Sequence, residues 1–189
     1  MTHTFRTSVQ IKATDLGLPH LILVGLPGAG KTTVGRAVAD ATGRSFLDFD
    51  EEIVRREGMP IAEVFGSKGE QHFRQIERRL TTELAKTSGM IVSPGGGWIM
   101  NPEVVGLVRP PAHLVYLKLR PETALARLGT QVSTRPLLSR TDPLAELKKL
   151  LAERAAAYES ADSTVSAELL TLQGVIDAVV AVAKAKAGG

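Results

Sequence analysis

Five short apolar runs punctuate the chain, and the stretches between them carry helical spacing. Leu21–Gly25 (LILVG) is unbroken apolar sequence, the signature of a strand covered on both faces. Lys31–Thr42 reads as a helix, with Gly43 placed to end it. Ser45–Asp50 (SFLDFD) predicts a second strand. Two short helical pieces follow around Met59-Pro60, then a long helix from about Gly69 to Ser88, stopped by Gly89. Within it Phe73, Ile76, Leu80 and Leu84 recur at three- and four-residue spacing and predict the buried stripe. Met90–Ser93 and His113–Leu119 read as the third and fourth strands. Pro121 suits the first position of a helix running to Leu128. The polar stretch Gly129–Pro143 reads as a loop; a helix to Tyr158, a strand near Thr164–Ser166 and a last helix from Leu172 complete the pattern. Strands alternating with helices imply βαβ units, hence an α/β three-layer sandwich around a central parallel sheet of about five strands.

Composition narrows this picture. A length of 189 residues and a mass of 20.2 kDa predict one domain, in which folding buries roughly 70% of the unfolded surface without staples. The net charge of +3 is too small to announce nucleic-acid binding, and Trp 1, Tyr 2 and Phe 5 leave little for base-stacking platforms. With no cysteine, thiolate chemistry, disulfides and Zn–Cys sites are excluded. Residues 1–20 are polar and mixed, with Arg6 and Lys12 but no apolar stretch of a secretory signal, and are expected to be a mobile extension before a domain at 21–189. No run approaches the roughly 20 apolar residues of a membrane span. A cytoplasmic monomer without nucleic-acid or membrane partners is expected.

The chemistry is announced between the first strand and the first helix. Gly25-Leu-Pro-Gly28-Ala-Gly30-Lys31-Thr32 matches G-x-x-x-x-G-K-[ST] without gaps and in the required strand–loop–helix context. Such glycines let backbone N–H groups converge on phosphate oxygens at the positive end of a helix. Gly28, Ala29, Gly30, Lys31, Thr32 and Thr33 are therefore the candidate nucleotide-phosphate site, with Thr32 placed to hold Mg²⁺. No N-K-x-D-like guanine signature is evident, which favours ATP.

Acceptor candidates follow. Asp48 and Asp50 close the second predicted strand, where alternation would put both carboxylates on one face at the sheet's carboxyl edge. Asp48 is assigned to the metal side and Asp50 to the acceptor hydroxyl, the competing reading being a solvated pair that caps the next helix. Arg74, with Glu77 three residues on to hold it, suits a carboxylate clamp or a surface ion pair. Gly95, Gly96 and Gly97 follow the third strand, and close approach of backbone to a ligand would explain three in a row. Arg135, in Thr134-Arg135-Pro136-Leu137-Leu138, could close over a phosphate, and Arg154 could offer the acceptor a second cation.

Taken together, GLPGAGKTT, DFD, GEQHFRQIE, GGG and RPLL, in this order from about Leu21 to Tyr158, resemble the shikimate kinase family. The resemblance implies a P-loop, nucleoside-kinase-like fold. It also implies transfer of the γ-phosphate of ATP, with Mg²⁺, to the 3-hydroxyl of shikimate in chorismate and aromatic amino acid synthesis. By resemblance the catalytic residues are Lys31, Asp50 and Arg135, the last in a lid at about 129–143. Substrate contacts come from Asp50, Arg74, Gly95, Gly96, Gly97 and Arg154, within a substrate segment at about 50–80 and beyond it. Thr32 and Asp48 face the metal, while Ile61, Phe65, Phe73 and Glu77 form the pocket wall and its support.

The chain departs from the family at the adenine end. An arginine often found seven residues before the lid arginine is Leu128 here, with Arg127 beside it, and the basic or Asn-containing loop near the C-terminus reads Ser166-Ala-Glu-Leu-Leu-Thr171. Neither residues 1–20 nor the tail with Lys184 and Lys186 suggests a role. A gluconate kinase usually carries a histidine after the second aspartate and basic residues where GGG lies, whereas Glu51 and Glu52 follow Asp50. A nucleoside monophosphate kinase would need a segment to read its base. A non-catalytic sensing module would be expected to have lost Lys31, Asp50 or Arg135, and all three are present.

Overall fold

Each residue of Leu21–Val24 is at most 3% exposed, as an apolar run sandwiched between helical layers requires. This strand, β1, lies at the centre of the fold, described here from a computed structural model that covers residues 15, 17–134, 138 and 142–187. Phe46–Asp48 (β2), Ile91–Ser93 (β3), His113–Lys118 (β4) and Ser163–Ser166 (β5) complete a five-stranded sheet in the order β2-β3-β1-β4-β5. All four pairings are parallel, with Leu21 beside Ile91 and His113. Parallel neighbours need crossovers, and the helices supply them. These are α1 (Lys31–Thr42), α2 (Phe49–Glu57), α3 (Ile61–Leu84), α4 (Pro102–Val105), α5 (Pro121–Leu128), α6 (Pro143–Glu159) and α7 (Leu172–Ala185). Helix α1 packs on β3 and α7, α5 on α6, and α2 on α3. Because all strands run the same way, the loops after β1, β2, β3 and β5 emerge at one edge, where open α/β sheets build their sites.

Most predicted elements are present, and the differences have local causes. The second strand ends at Asp48, not Asp50. Asp48 is the N-cap of α2, its Oδ1 accepting from the N–H groups of Asp50 (2.9 Å) and Glu51 (3.2 Å). The expected strand alternation of Asp48 and Asp50 is thus replaced by a cap and a first-turn residue. The long helix α3 begins at Ile61 and is interrupted at Gly69, whose φ of 80° and ψ of 167° are open to glycine alone. The boundary read from the sequence is therefore real, as a kink within one element. Helix α4 has no counterpart in the apolar pattern, although Asn101, which accepts from Val104 N–H at 3.2 Å, and Pro102 are ordinary start signals.

Part of the segment expected to be a mobile extension is built into the fold. Asp15 and His20 are buried, Asp15 Oδ1 accepts from Ser45 N–H (3.1 Å), and His20 Nδ1 faces Met90 N–H (3.1 Å). Arg44, also buried, donates to the carbonyls of Gly89 and Pro19. Packed chain therefore begins before Leu21.

Candidate active site

The loop after β1 is held open by its own geometry. Gly28 has φ 85°, and a Cβ there would stand 2.6 Å from the Ala124 carbonyl, so only glycine lets this loop rest on α5. Gly30 caps α1 with no side-chain partner, leaving the helix's first N–H groups directed at the space in front. Lys31 Nζ donates to the carbonyls of Gly25 (3.0 Å) and Leu26 (3.1 Å), which folds the ammonium back over the loop. A cavity of about 570 Å³ opens there, with the phosphate loop from Gly28 to Thr33 at one end. Arg127, Leu128, Ala167, Leu172 and Val175 also line it.

Asp48 joins this loop to the acceptor side. While Oδ1 caps α2, Oδ2 accepts from the Thr32 hydroxyl at 2.7 Å. The cap that the sequence offered as the competing reading is therefore present, and it leaves Oδ2 beside the Thr32 hydroxyl. The cap also sets Asp50 in the first turn of α2, its Oδ1 3.7 Å from where a Gly95 Cβ would stand.

The acceptor side is assembled on the loop after β3. Arg74 Nη1 donates to Glu77 Oε2 at 2.7 Å, as the spacing predicts, and Nη2 to Glu70 Oε1 at 2.9 Å. Burial opposes the charge on the Arg74 guanidinium, but Glu77 and Glu70 outweigh it and hold its pKa above the usual value. Burial also pushes the Glu77 carboxyl upward; Arg74 works against that shift and Asp50 adds to it. Glu77 Oε1 is buried and has no hydrogen-bond partner among the described residues. Phe73 packs at a 39° tilt against Phe65, 4.6 Å between ring centres, and its ring lies 5.4 Å from the Arg74 guanidinium, so the candidate pocket wall and the candidate clamp are in contact.

The three glycines also clear space for neighbouring side chains. None has positive φ, so turn geometry does not require them. A Cβ on Gly95 would stand 2.8 Å from Glu77 Oε1 and 3.7 Å from Asp50 Oδ1. On Gly96 it would meet Arg154 Nη1 at 3.3 Å, and on Gly97 the Arg74 Nη2 at 2.9 Å. Each glycine therefore clears space for a charged side chain among the acceptor candidates or their support. Trp98, buried next in sequence, pins the loop by donating from Nε1 to Thr81 Oγ1 at 2.9 Å.

Sequence reasoning missed Tyr158. Its hydroxyl donates to the Gly96 carbonyl at 2.9 Å and its ring stacks on Tyr116 at 5.2 Å, with burial raising its pKa. The signal was available: Tyr158 is four residues beyond Arg154 on α6, one turn along the same face. A second cavity, of about 370 Å³, adjoins Arg74, Glu77, Gly97 and Arg154. The structure thus brings together Lys31, Thr32, Asp48, Asp50, Arg74, Gly95, Gly96, Gly97 and Arg154 around one edge of the sheet. Arg135 lies outside the described residues.

A family model described as shikimate kinase matches residues 27–184. The chain belongs to the shikimate kinase family. A shikimate kinase of Neisseria meningitidis is 42% identical over 146 residues, covering 77% of this chain and 85% of the relative. The solved shikimate kinase of Acinetobacter baumannii, a complex with shikimate, superposes with a TM-score of 0.83 at 34% identity over 89% of this chain and 94% of its own. A gluconokinase from Sinorhizobium meliloti shares the fold at a TM-score of 0.60 and 17% identity, covering 89% of this chain and 93% of its own. The chain is accordingly a P-loop kinase of the ATP-using shikimate kinase family.

Proposed function

We propose that this protein transfers the γ-phosphate of ATP to the 3-hydroxyl of shikimate, giving shikimate 3-phosphate and ADP on the route to chorismate and the aromatic amino acids. The observation that carries the reading is the division of space by one loop. Gly95 and Gly96 line the cavity behind the phosphate loop, and Gly97 lines the cavity beside Arg74 and Arg154. Donor and acceptor sites therefore meet across three residues without side chains. That arrangement suits in-line phosphoryl transfer, where positioning and charge neutralisation supply most of the catalysis.

In this reading the α1 N-terminus and Lys31 hold the nucleotide phosphates, Lys31 exchanging its loop carbonyls for β- and γ-oxygens. Arg74 and Arg154 bind the acceptor carboxylate, and Asp50 orients the reacting hydroxyl and accepts its proton. Thr32 and Asp48 present two hard oxygen groups side by side, a donor set that fits Mg²⁺. Bound with the nucleotide, Mg²⁺ supplies neutralisation of phosphate charge. By family resemblance Arg135 adds a further cation from the lid. The adenine end is formed by Arg127 and Leu128, whose order is the departure seen in the sequence. A cytoplasmic monomer is part of the same reading; no helix among the described residues is long and apolar enough to cross a membrane.

The test is a coupled assay for ADP release with ATP, Mg²⁺ and shikimate. Shikimate-dependent turnover is expected. Folded protein that releases ADP with gluconate and not with shikimate would refute the reading.

A further inference from the structure

The loop after β5 stands where the family resemblance expects a basic or Asn-containing segment, and its acidic side chain is tied to the neighbouring helix. Glu168 reaches across to the start of α5. Its Oε2 accepts from the Arg120 backbone N–H at 3.1 Å, and its Oε1 accepts from Arg120 Nη2 and from the Thr123 hydroxyl, both at 2.8 Å. One residue earlier, the Ala167 carbonyl accepts from Arg127 Nη2 at 2.7 Å, while Ala167 N–H donates to Lys118 O at 2.9 Å. The loop is thus fastened to both ends of α5. That helix in turn rests on the phosphate loop, since the Ala124 carbonyl and Leu128 Cγ stand 2.6 and 3.1 Å from where a Gly28 Cβ would be. The residues beyond the staple, Leu169, Leu170 and Leu172, are exposed, so little apolar packing holds this loop in place of the polar contacts.

We propose that Glu168 is a positioning residue for the nucleotide base. By locking the 167–171 loop to α5 it fixes the spacing between two sets of residues that line the cavity, Arg127 and Leu128 on α5 and Ala167 and Leu172 after β5. The inference rests on the reading of this cavity as the ATP site and adds to it a residue that does not touch the nucleotide. A base held by stacking and burial is bound well only if those two walls are already at the right separation, because any ordering cost is subtracted from affinity. Four bonds to one carboxylate, two of them from the Arg120 guanidinium, supply that order without a buried core beneath it.

Glu168→Gln and Arg120→Met test this together. The first keeps the shape and removes the charge; the second removes only an exposed side chain, 72% accessible, and leaves the backbone contact, so it is expected to fold even where the first does not. ADP binding by titration calorimetry with Mg²⁺, and KM for ATP against KM for shikimate, are read on the full chain below the melting temperature of every variant. The expected result is a rise of about threefold to tenfold in Kd for ADP and in KM for ATP, with kcat at saturating ATP and KM for shikimate within about twofold of the parent. Glu168→Asp should recover part of the loss. Unchanged ADP and ATP affinity in both variants, with or without a fall in melting temperature, overturns the inference. Lys31→Ala serves as reference. If it weakens ADP binding while the two variants do not, only the role of Glu168 falls; if the parent itself binds no ADP, the cavity reading falls with it.

Discussion

Gly97→Ala perturbs the acceptor site through a single methyl group. Gly97 has φ −93° and ψ −8°, which alanine adopts without strain, so the backbone has no reason to move. The added Cβ would stand 2.9 Å from Arg74 Nη2 and 3.0 Å from Nη1, against an ordinary contact of at least 3.4 Å. The guanidinium must therefore retreat by about half an ångström. Its bond to Glu77 Oε2 would lengthen from 2.7 Å toward the end of the hydrogen-bonding range, and its fork would miss the acceptor carboxylate by the same amount. A displacement of about 1 Å in a positioning group costs about 10²-fold, so half of that predicts a tenfold rise in KM for shikimate, about 1.4 kcal/mol. Stability should move the other way, because alanine at a compatible position restricts the unfolded chain and adds about 0.4–1 kcal/mol. The assay is coupled ADP release with shikimate varied at saturating ATP, beside a thermal melt. A KM within twofold of the parent would remove Arg74 from the acceptor site. A melting temperature several degrees lower would show that the clash is relieved by the backbone and refute the clearance argument.

Three further outcomes follow from the same geometry. Asp50→Asn should lower kcat by roughly 10²–10⁴ in the ADP-release assay with KM for ATP little changed; a loss below tenfold would mean that transfer needs no base there. Asp48→Ala should cost about 0.5–2 kcal/mol by chemical denaturation through the lost α2 cap, whereas Asp48→Asn caps nearly as well and should recover stability but not activity. Recovery of both by Asn would deny the carboxylate any part in holding a cation. Burial, with Arg44 adding to it and Asp15 opposing, depresses the pKa of His20 below its usual 6.5, and burial likewise depresses that of His113. The unfolded chain then takes up protons that the fold refuses, so stability is complete above about pH 6.5 and falls as pH drops below it. Melts from pH 7.5 to 5.5 should show this slope, and His20→Gln should flatten it; an unchanged slope would show that His20 titrates alike in both states.

The nucleotide side of this site was readable because its chemistry is written in contiguous sequence. A phosphate loop needs glycines, a lysine and a hydroxyl at fixed offsets between a strand and a helix, and the chain carries them at Gly25–Thr32. The strands were readable for the same reason: buried parallel strands such as Leu21–Val24 are apolar at every position, whichever face they present. What depended on a backbone turn was less accessible. The apolar and acidic residues of SFLDFD suit a strand to their end, and only the hydrogen bonds from Asp50 and Glu51 to Asp48 show that the chain has already begun a helix. The burial of His20 and Asp15 likewise depends on loops distant in sequence, at Ser45 and Met90, so local polarity read as an extension.

The triple glycine shows where the limit lies in physical terms. A glycine in sequence signals that a Cβ is not tolerated, but it does not say whether the objection comes from the backbone angle, a ligand or a neighbouring side chain. Here φ is ordinary at all three positions, and the objection comes in turn from Glu77, Arg154 and Arg74. These residues lie on α3 and α6, far from the loop in sequence, so no local pattern could have paired them with it. The consequence is functional as well as structural. A loop that carried side chains would separate the cavity behind the phosphate loop from the cavity beside Arg74 and Arg154 by the width of those side chains. By meeting the charged groups with bare backbone, the chain brings Asp50, Arg74 and Arg154 to within one loop of the phosphate site. In-line transfer asks for that proximity.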